Sequence, residues 1–184
     1  MITFRRFVYA ATFILVALLS VSASPVLAHH SATPYKWSTI PVDVDVSSAP
    51  FPSSWITPLS RAMSAWNNAG SRFRFRSWNT GHNVYVSNWG QGAVARTSVT
   101  KPGGYTIIDA DTAMNAYYSW CDGAYVGCYD LQSVMTHELG HWIMLYDMFD
   151  NSSYAMYYKM FTNHTSFRSL ESDDITSIRN MYPL

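Results

Sequence analysis

Charge is scarce in this 184-residue chain: only 13% of residues are charged, twelve basic and twelve acidic, and the formal net charge is zero. A chain so balanced has no basic stripe to track a phosphate backbone, which argues against nucleic acid as a partner. Cysteine is limited to Cys121 and Cys128, with no C-x-x-C spacing, so a thiolate metal cluster is disfavoured. Glutamate occurs only at Glu138 and Glu171. No repeat, low-complexity run or linker divides the sequence. What is abundant is apolar: 48% hydrophobic and 16% aromatic residues supply a real core for one domain and exclude a disordered tail.

Part of that apolar content sits at the N-terminus. Arg5 and Arg6 precede an apolar run from Phe7 to about Ala23, and Val26 and Ala28 then occupy the small-residue positions of a cleavage site. This layout predicts a signal peptide over 1–28, cut after Ala28. The run is nearly long enough to span a membrane, but no stop-transfer pattern follows, which disfavours an uncleaved anchor. The expected product is extracellular, monomeric and free of the membrane. In that oxidising compartment two cysteines so close in sequence predict one short-loop disulfide, Cys121 to Cys128. Residues 29–40 are polar and read as a loose arm, leaving 41–184 as the folded domain.

From Pro41 the pattern becomes periodic. Val42, Val44 and Val46 alternate with Asp43 and Asp45 as in a half-buried strand. Between Pro52 and Gly70, residues Trp55, Leu59, Ala62, Met63 and Trp66 share one helical face. Phe73 and Phe75 alternate with Arg72, Arg74 and Arg76, which makes the arginines a wet strand face. Val84–Val86 and Tyr105–Ala110 are further strand candidates, separated by a glycine-rich stretch. A helix is expected from Asp130, as N-cap, to about Leu145, with Leu131, Met135, Leu139 and Trp142 as its apolar stripe. A last helix fits Asp173–Tyr182, capped by Ser172, with Ile175, Ile178 and Tyr182 inward. The order of elements suggests an α+β fold.

The chemistry is concentrated in His137-Glu138-Leu139-Gly140-His141. Residues four apart on a helix share a face, so His137 and His141 can aim ring nitrogens at one ion. Glu138 lies about 100° round the helix, where it reaches a water rather than the metal. Neutral imidazoles suit zinc, and zinc with an open position lowers the pKa of its water to about 7. Glu138 is then placed to take a proton and pass it to a leaving amine. H-E-x-x-H also arises by chance, with two surface histidines; against that, one of only two glutamates falls in this frame.

A catalytic zinc needs a third protein ligand. The stretch continues Trp142-Ile143-Met144-Leu145-Tyr146-Asp147, and Met156 follows within Ser153-Tyr154-Ala155-Met156-Tyr157. It resembles the metzincin peptidases, whose H-E-x-x-H-x-x-G-x-x-H is followed by a methionine turn, and within them the matrixin branch. The segments Asp130–Val134, Leu170–Tyr182 with its Asp173-Asp174-Ile175 start, and Trp37–Val46 are similar to matrixin sequence too. The resemblance implies a secreted zinc endopeptidase: a twisted mixed sheet, two long helices and a small C-terminal helical part, acting on extended protein or peptide chains. It implies zinc held by His137, His141 and Asp147, with Glu138 as base and acid. Met156 would form an apolar floor below the ion rather than a ligand.

Two departures stand out. Asp147 occupies the third-histidine position, as in the similar snapalysins; a capping or surface aspartate is the plainer reading, with Asp150 and His164 as alternative ligands. Met144 replaces the glycine of the turn, where positive φ costs a side-chain-bearing residue on the order of 1 kcal/mol. Tyr158 stands where other metzincins carry a tyrosine near the metal, as an oxyanion donor or as simple packing. Asp109 and Asp111 are candidates for a structural calcium of matrixin type, although isolated turn aspartates are commoner. The substrate-pairing edge strand would lie in Tyr105–Ala110 or in Gly90–Val99. No cysteine that could block the zinc precedes Cys121, and Asn151 and Asn163 begin N-x-S/T sequons. The rival reading is a secreted zinc-holding binding module without turnover.

Overall fold

The structure, a computed structural model, describes residues 33–47, 50–79 and 81–184. The expected signal peptide lies outside the described residues, as does the start of the arm. Nine strands and three α-helices follow in the order β1 (Lys36–Trp37), β2 (Val42–Asp45), α1 (Ile56–Asn67), β3 (Phe75–Ser77), β4 (His82–Ser87), β5 (Ala95–Thr100), β6 (Thr106–Ile107), β7 (Asp109–Asn115), β8 (Trp120–Cys121), β9 (Tyr129–Asp130), α2 (Leu131–Trp142) and α3 (Ser172–Met181). Short 3-10 turns precede α1 at Ser53–Trp55 and α3 at Ser166–Arg168.

Five strands form the main sheet in the order β3-β2-β4-β7-β5. The first four run parallel, and β5 closes the edge antiparallel to β7, in register from Ala95 opposite Met114 to Thr100 opposite Asp109. This is the expected mixed sheet, α+β in class. The single strand expected over Tyr105–Ala110 is instead two short pieces, broken at Ile108, because β6 leaves to pair with β1 while β7 continues through Thr112 and Met114 into the sheet. Ala113 and Asn115 carry little strand signal. Only their buried environment between β4 and β5 makes them a strand.

The core lies between the sheet and the two 12-residue helices. Val42, Val44, Val84 and Met114 come from the sheet; Leu59, Ala62, Met63 and Trp66 come from α1, and Met135, Leu139 and Trp142 from α2. Phe73 and Phe75 are buried while Arg72, Arg74 and Arg76 are exposed, so the alternation holds although the ladder begins only at Phe75. The helix expected from Pro52 to Gly70 starts instead as a 3-10 turn and ends at Asn67, with Gly70 at φ 75°.

The arm is not loose from Lys36 onward. Trp37 is buried, its backbone N–H donates to the Tyr182 hydroxyl at 3.0 Å, and its indole donates to the Trp142 carbonyl at 2.7 Å. Burial pushes the Tyr182 hydroxyl up to about 12, so it remains a protonated clasp between the two ends of the described chain. At the other end α3 is capped by Glu171, not Ser172: Glu171 and Asp174 form a reciprocal capping box.

Cys121 and Cys128 are disulfide-bonded, as expected. The loop they close is tied down by charge, since Asp122 pairs with Arg61 of α1 and with Arg168, and Arg168 reaches on to Asp130. The Arg61 hydrogen bond, followed by Arg168, holds the Asp122 carboxyl below its ordinary value. Asp130 caps α2, accepting from Ser133 N at 2.9 Å. The loop-entropy relation for so short a loop gives about 2.5 kcal/mol. Cys121→Ser with Cys128→Ser is therefore expected to lower the thermal midpoint by roughly 5–10 °C, read by calorimetry of the oxidised wild type beside the variant; an unchanged midpoint would mean the arginine network alone holds the loop.

Candidate metal centre

Every residue of α2 except His141 is buried. A helix immersed on all sides must find partners for its polar side chains, and those partners fix their orientation. Gln132 receives Arg61 Nε at 2.8 Å and Thr136 donates to the Gln132 carbonyl at 2.8 Å. His137 Nδ1 donates to the Ala155 carbonyl at 2.9 Å, and His141 Nδ1 to the Leu145 carbonyl at 2.7 Å. Both imidazoles are thereby set in the tautomer that leaves Nε2 bare, and the two Nε2 atoms stand 3.1 Å apart.

Asp147 completes the group, its Oδ1 lying 3.2 Å from His137 Nε2 and 3.5 Å from His141 Nε2. Among the described residues this is the one set of three or more such side chains whose ligand atoms converge, all within 4.8 Å. Asp150 and His164 do not join it; the His164 ring packs against Phe161 and Phe167. Three donors bound tetrahedrally to zinc at 2.0–2.1 Å would stand about 3.3 Å from one another. The separations here bracket that figure, so the residues fit a zinc ion. Burial pulls both imidazoles down. On His137 the opposing pull of Asp147, then of Glu138 and the Ala155 carbonyl, wins and raises it; on His141 burial and the neighbouring His137 prevail. The His137 hydrogen bond holds Asp147 below the ordinary carboxylate range.

The turn that delivers Asp147 keeps its geometry without glycine. Met144 takes φ 63°, its N–H donates to the His141 carbonyl at 2.9 Å, and Leu145 N–H donates to the Gly140 carbonyl at 3.1 Å. This is a Schellman ending with methionine in the left-handed position. The following chain closes on itself, for Met148 N–H donates to the Met156 carbonyl at 2.7 Å and Tyr158 N–H to the Met148 carbonyl at 2.9 Å. Ala155, between them, donates its N–H to Asp174 Oδ2 at 3.0 Å, so the start of α3 steadies the carbonyl that orients His137. Met156 is fully buried beneath the site against Gly140: a Cβ on Gly140 would overlap the Met156 sulfur and come within 2.9 Å of Trp66 Cζ2.

Glu138 Oε2 accepts from the Thr97 hydroxyl at 2.5 Å. An open cleft passes over the group, bounded by Gly92–Thr97 on one side and by Tyr158–Met160 on the other. Tyr158 is stacked on Phe149, centroids 4.9 Å apart, at the rim. Asp109 and Asp111, the calcium candidates, are engaged elsewhere: Asp109 with His82 Nδ1 at 2.7 Å, and Asp111 with the backbone and side-chain amides of Asn83 at 2.8 and 3.0 Å. Calcium has no support here. Thr97 escapes the sequence reading, and Gly140 and Asp174 enter it only as parts of motifs, without the contacts they make. Only Gly140 left a signal, as a glycine inside a helix without a turn to explain it.

A family model described as Matrixin matches residues 48–183, and no curated protein matches the chain. Two substitutions test the local geometry. Met144→Gly relieves about 1 kcal/mol of backbone strain but removes a buried methionine side chain, worth about 2–5 kcal/mol when truncated. It should therefore destabilise in denaturant unfolding, and a stabilised variant would show that strain dominates. Gly140→Ala should cost about 1–3 kcal/mol by overpacking and weaken zinc retention against a competing chelator, whereas retention equal to wild type would show that Met156 can move aside.

Proposed function

The chain belongs to the matrixin family of metallopeptidases, and from that premise we propose that it is a secreted, zinc-dependent endopeptidase acting on extended polypeptides. The observation that carries the proposal is the convergence of His137 Nε2, His141 Nε2 and Asp147 Oδ1 beside Glu138 in an open cleft. In this reading His137, His141 and Asp147 hold the ion. Bound zinc supplies a Lewis acid for the scissile carbonyl and a water acidic enough to attack near neutral pH.

Glu138 is the general base and acid. Thr97 occupies Oε2, and among the described residues no side chain engages Oε1, which is free to accept the proton of the attacking water. The same oxygen returns that proton to the departing amine nitrogen as the peptide bond breaks. The substrate is positioned by β5, the antiparallel edge of the sheet, whose outer backbone groups can pair with an extended chain lying in the cleft. Tyr158, stacked on Phe149, serves as a wall of the cleft. The disulfide agrees with an oxidising destination, and no helix among the described residues is long and apolar enough to cross a membrane. The binding-module alternative, motivated by Met144 and by an aspartate in the ligand position, would be favoured by a turn that kept Asp147 from the histidines; Met144 takes φ 63° and Asp147 Oδ1 lies within 3.5 Å of both ring nitrogens.

The test is hydrolysis of casein by the zinc-loaded protein, with and without a chelator, beside Glu138→Gln. Cleavage should be abolished by the chelator, restored by zinc, and reduced at least a hundredfold in Glu138→Gln, on the order of the loss of a general base. A folded, zinc-loaded and inert wild type would instead favour the binding module.

A further inference from the structure

The carboxylate of Glu138 stands at one end of a continuous line of side-chain hydrogen bonds. Thr97 Oγ1 lies 2.5 Å from Glu138 Oε2; Thr112 Oγ1 lies 2.7 Å from Thr97 Oγ1; and the Trp142 indole nitrogen lies 2.8 Å from Thr112 Oγ1. The line leaves α2 at Trp142, crosses β7 and β5, and returns to α2 one turn earlier at Glu138. Thr97 and Thr112 face each other directly across the antiparallel pair, and Thr112 is fully buried.

Its polarity follows from donor chemistry. An indole N–H can only donate, so Thr112 Oγ1 accepts from Trp142. An ionised carboxylate can only accept, so Thr97 spends its single hydroxyl proton on Glu138. Thr97 Oγ1 must then accept from Thr112, whose one proton is used there. Each hydroxyl gives once and receives once, leaving a single self-consistent direction from Trp142 to Glu138. We infer that Thr97 is a positioning residue for Glu138, itself oriented by Thr112 and Trp142, and that this line holds Oε2 so that Oε1 faces the cleft.

The inference rests on the reading of Glu138 as general base, and it adds a role for β5: the strand that borders the substrate path also sets the base. A mere space-filling role for Thr97 would be preserved in Thr97→Val, which keeps the branched shape and lacks the hydroxyl. Thr97→Ser keeps the hydroxyl and loses the methyl. The experiment measures kcat and KM on a fluorogenic peptide for zinc-loaded wild type, Thr97→Val and Thr97→Ser, with metal content and thermal midpoint recorded for each. It also follows the assigned Trp142 indole N–H resonance in labelled protein, with and without Glu138→Gln, in the Thr97 and Thr97→Val backgrounds.

Thr97→Val should lower kcat roughly 10- to 100-fold, the scale of a small misplacement of a reacting group, with KM within about twofold, and Thr97→Ser should recover most of the loss. Glu138→Gln should move the Trp142 resonance when Thr97 is present and leave it in place when residue 97 is valine. Undiminished kcat in a folded, zinc-loaded Thr97→Val protein, or an equal resonance shift in both backgrounds, would overturn the inference. Failure of the base assignment is distinguishable, since Glu138→Gln would then retain turnover while the resonance still reported on the hydrogen-bond line.

Discussion

Two bare imidazole nitrogens and a carboxylate oxygen crowd within 3.5 Å of one another at an open cleft. Electron-rich atoms do not gather so closely unless something holds them there, and much of the fold is that restraint. Each histidine is fixed through its far nitrogen by a backbone carbonyl, and neither carbonyl belongs to a regular element. One is supplied by the turn after α2, the other by the loop around Met156. Both turns are in turn secured, the first by a Schellman ending and the second by Asp174 from α3. The geometry of three atoms is thus underwritten by contacts that run to the far end of the chain.

Burial of α2 explains why this restraint works. A half-exposed helix would let water satisfy Gln132, Thr136, His137 and Glu138 in many orientations. An immersed one gives each of them set partners: Arg61 of α1 and the Arg168 carbonyl for Gln132, the Gln132 carbonyl for Thr136, the Ala155 carbonyl for His137 and Thr97 of β5 for Glu138. Disorder of these side chains would cost hydrogen bonds in a medium where they are not replaced. Stability and pre-organisation of the site therefore have the same physical source.

The same burial divided what was legible in the sequence from what was not. Local signals located the strand around Val44, the Asp130 cap and the paired cysteines, and they picked out the i, i+4 histidines and the Asp147 that the structure brings together; the alternation itself is imperfect, since Asp45 is buried and Val46 only half-buried. The α+β arrangement followed from their order. Features that depend on partners distant in sequence left little trace. Thr97 and Thr112 look like ordinary strand residues until β5 and β7 are laid side by side. Gly140 is a routine weak point in a helix until Met156 and Trp66 are packed against it. Trp37 belonged by composition to a loose polar arm, because the groups that hold it, Tyr182 and Trp142, are more than a hundred residues away.

That clasp has an engineering consequence. Because Tyr182, just past α3, holds the Trp37 backbone through its hydroxyl while the Trp37 indole holds the Trp142 carbonyl at the end of α2, removing Tyr182 would unlatch β1 from the C-terminal end of the metal-site helix. A fusion partner is therefore better carried beyond the exposed Pro183 and Leu184 than gained by trimming the chain back to Met181.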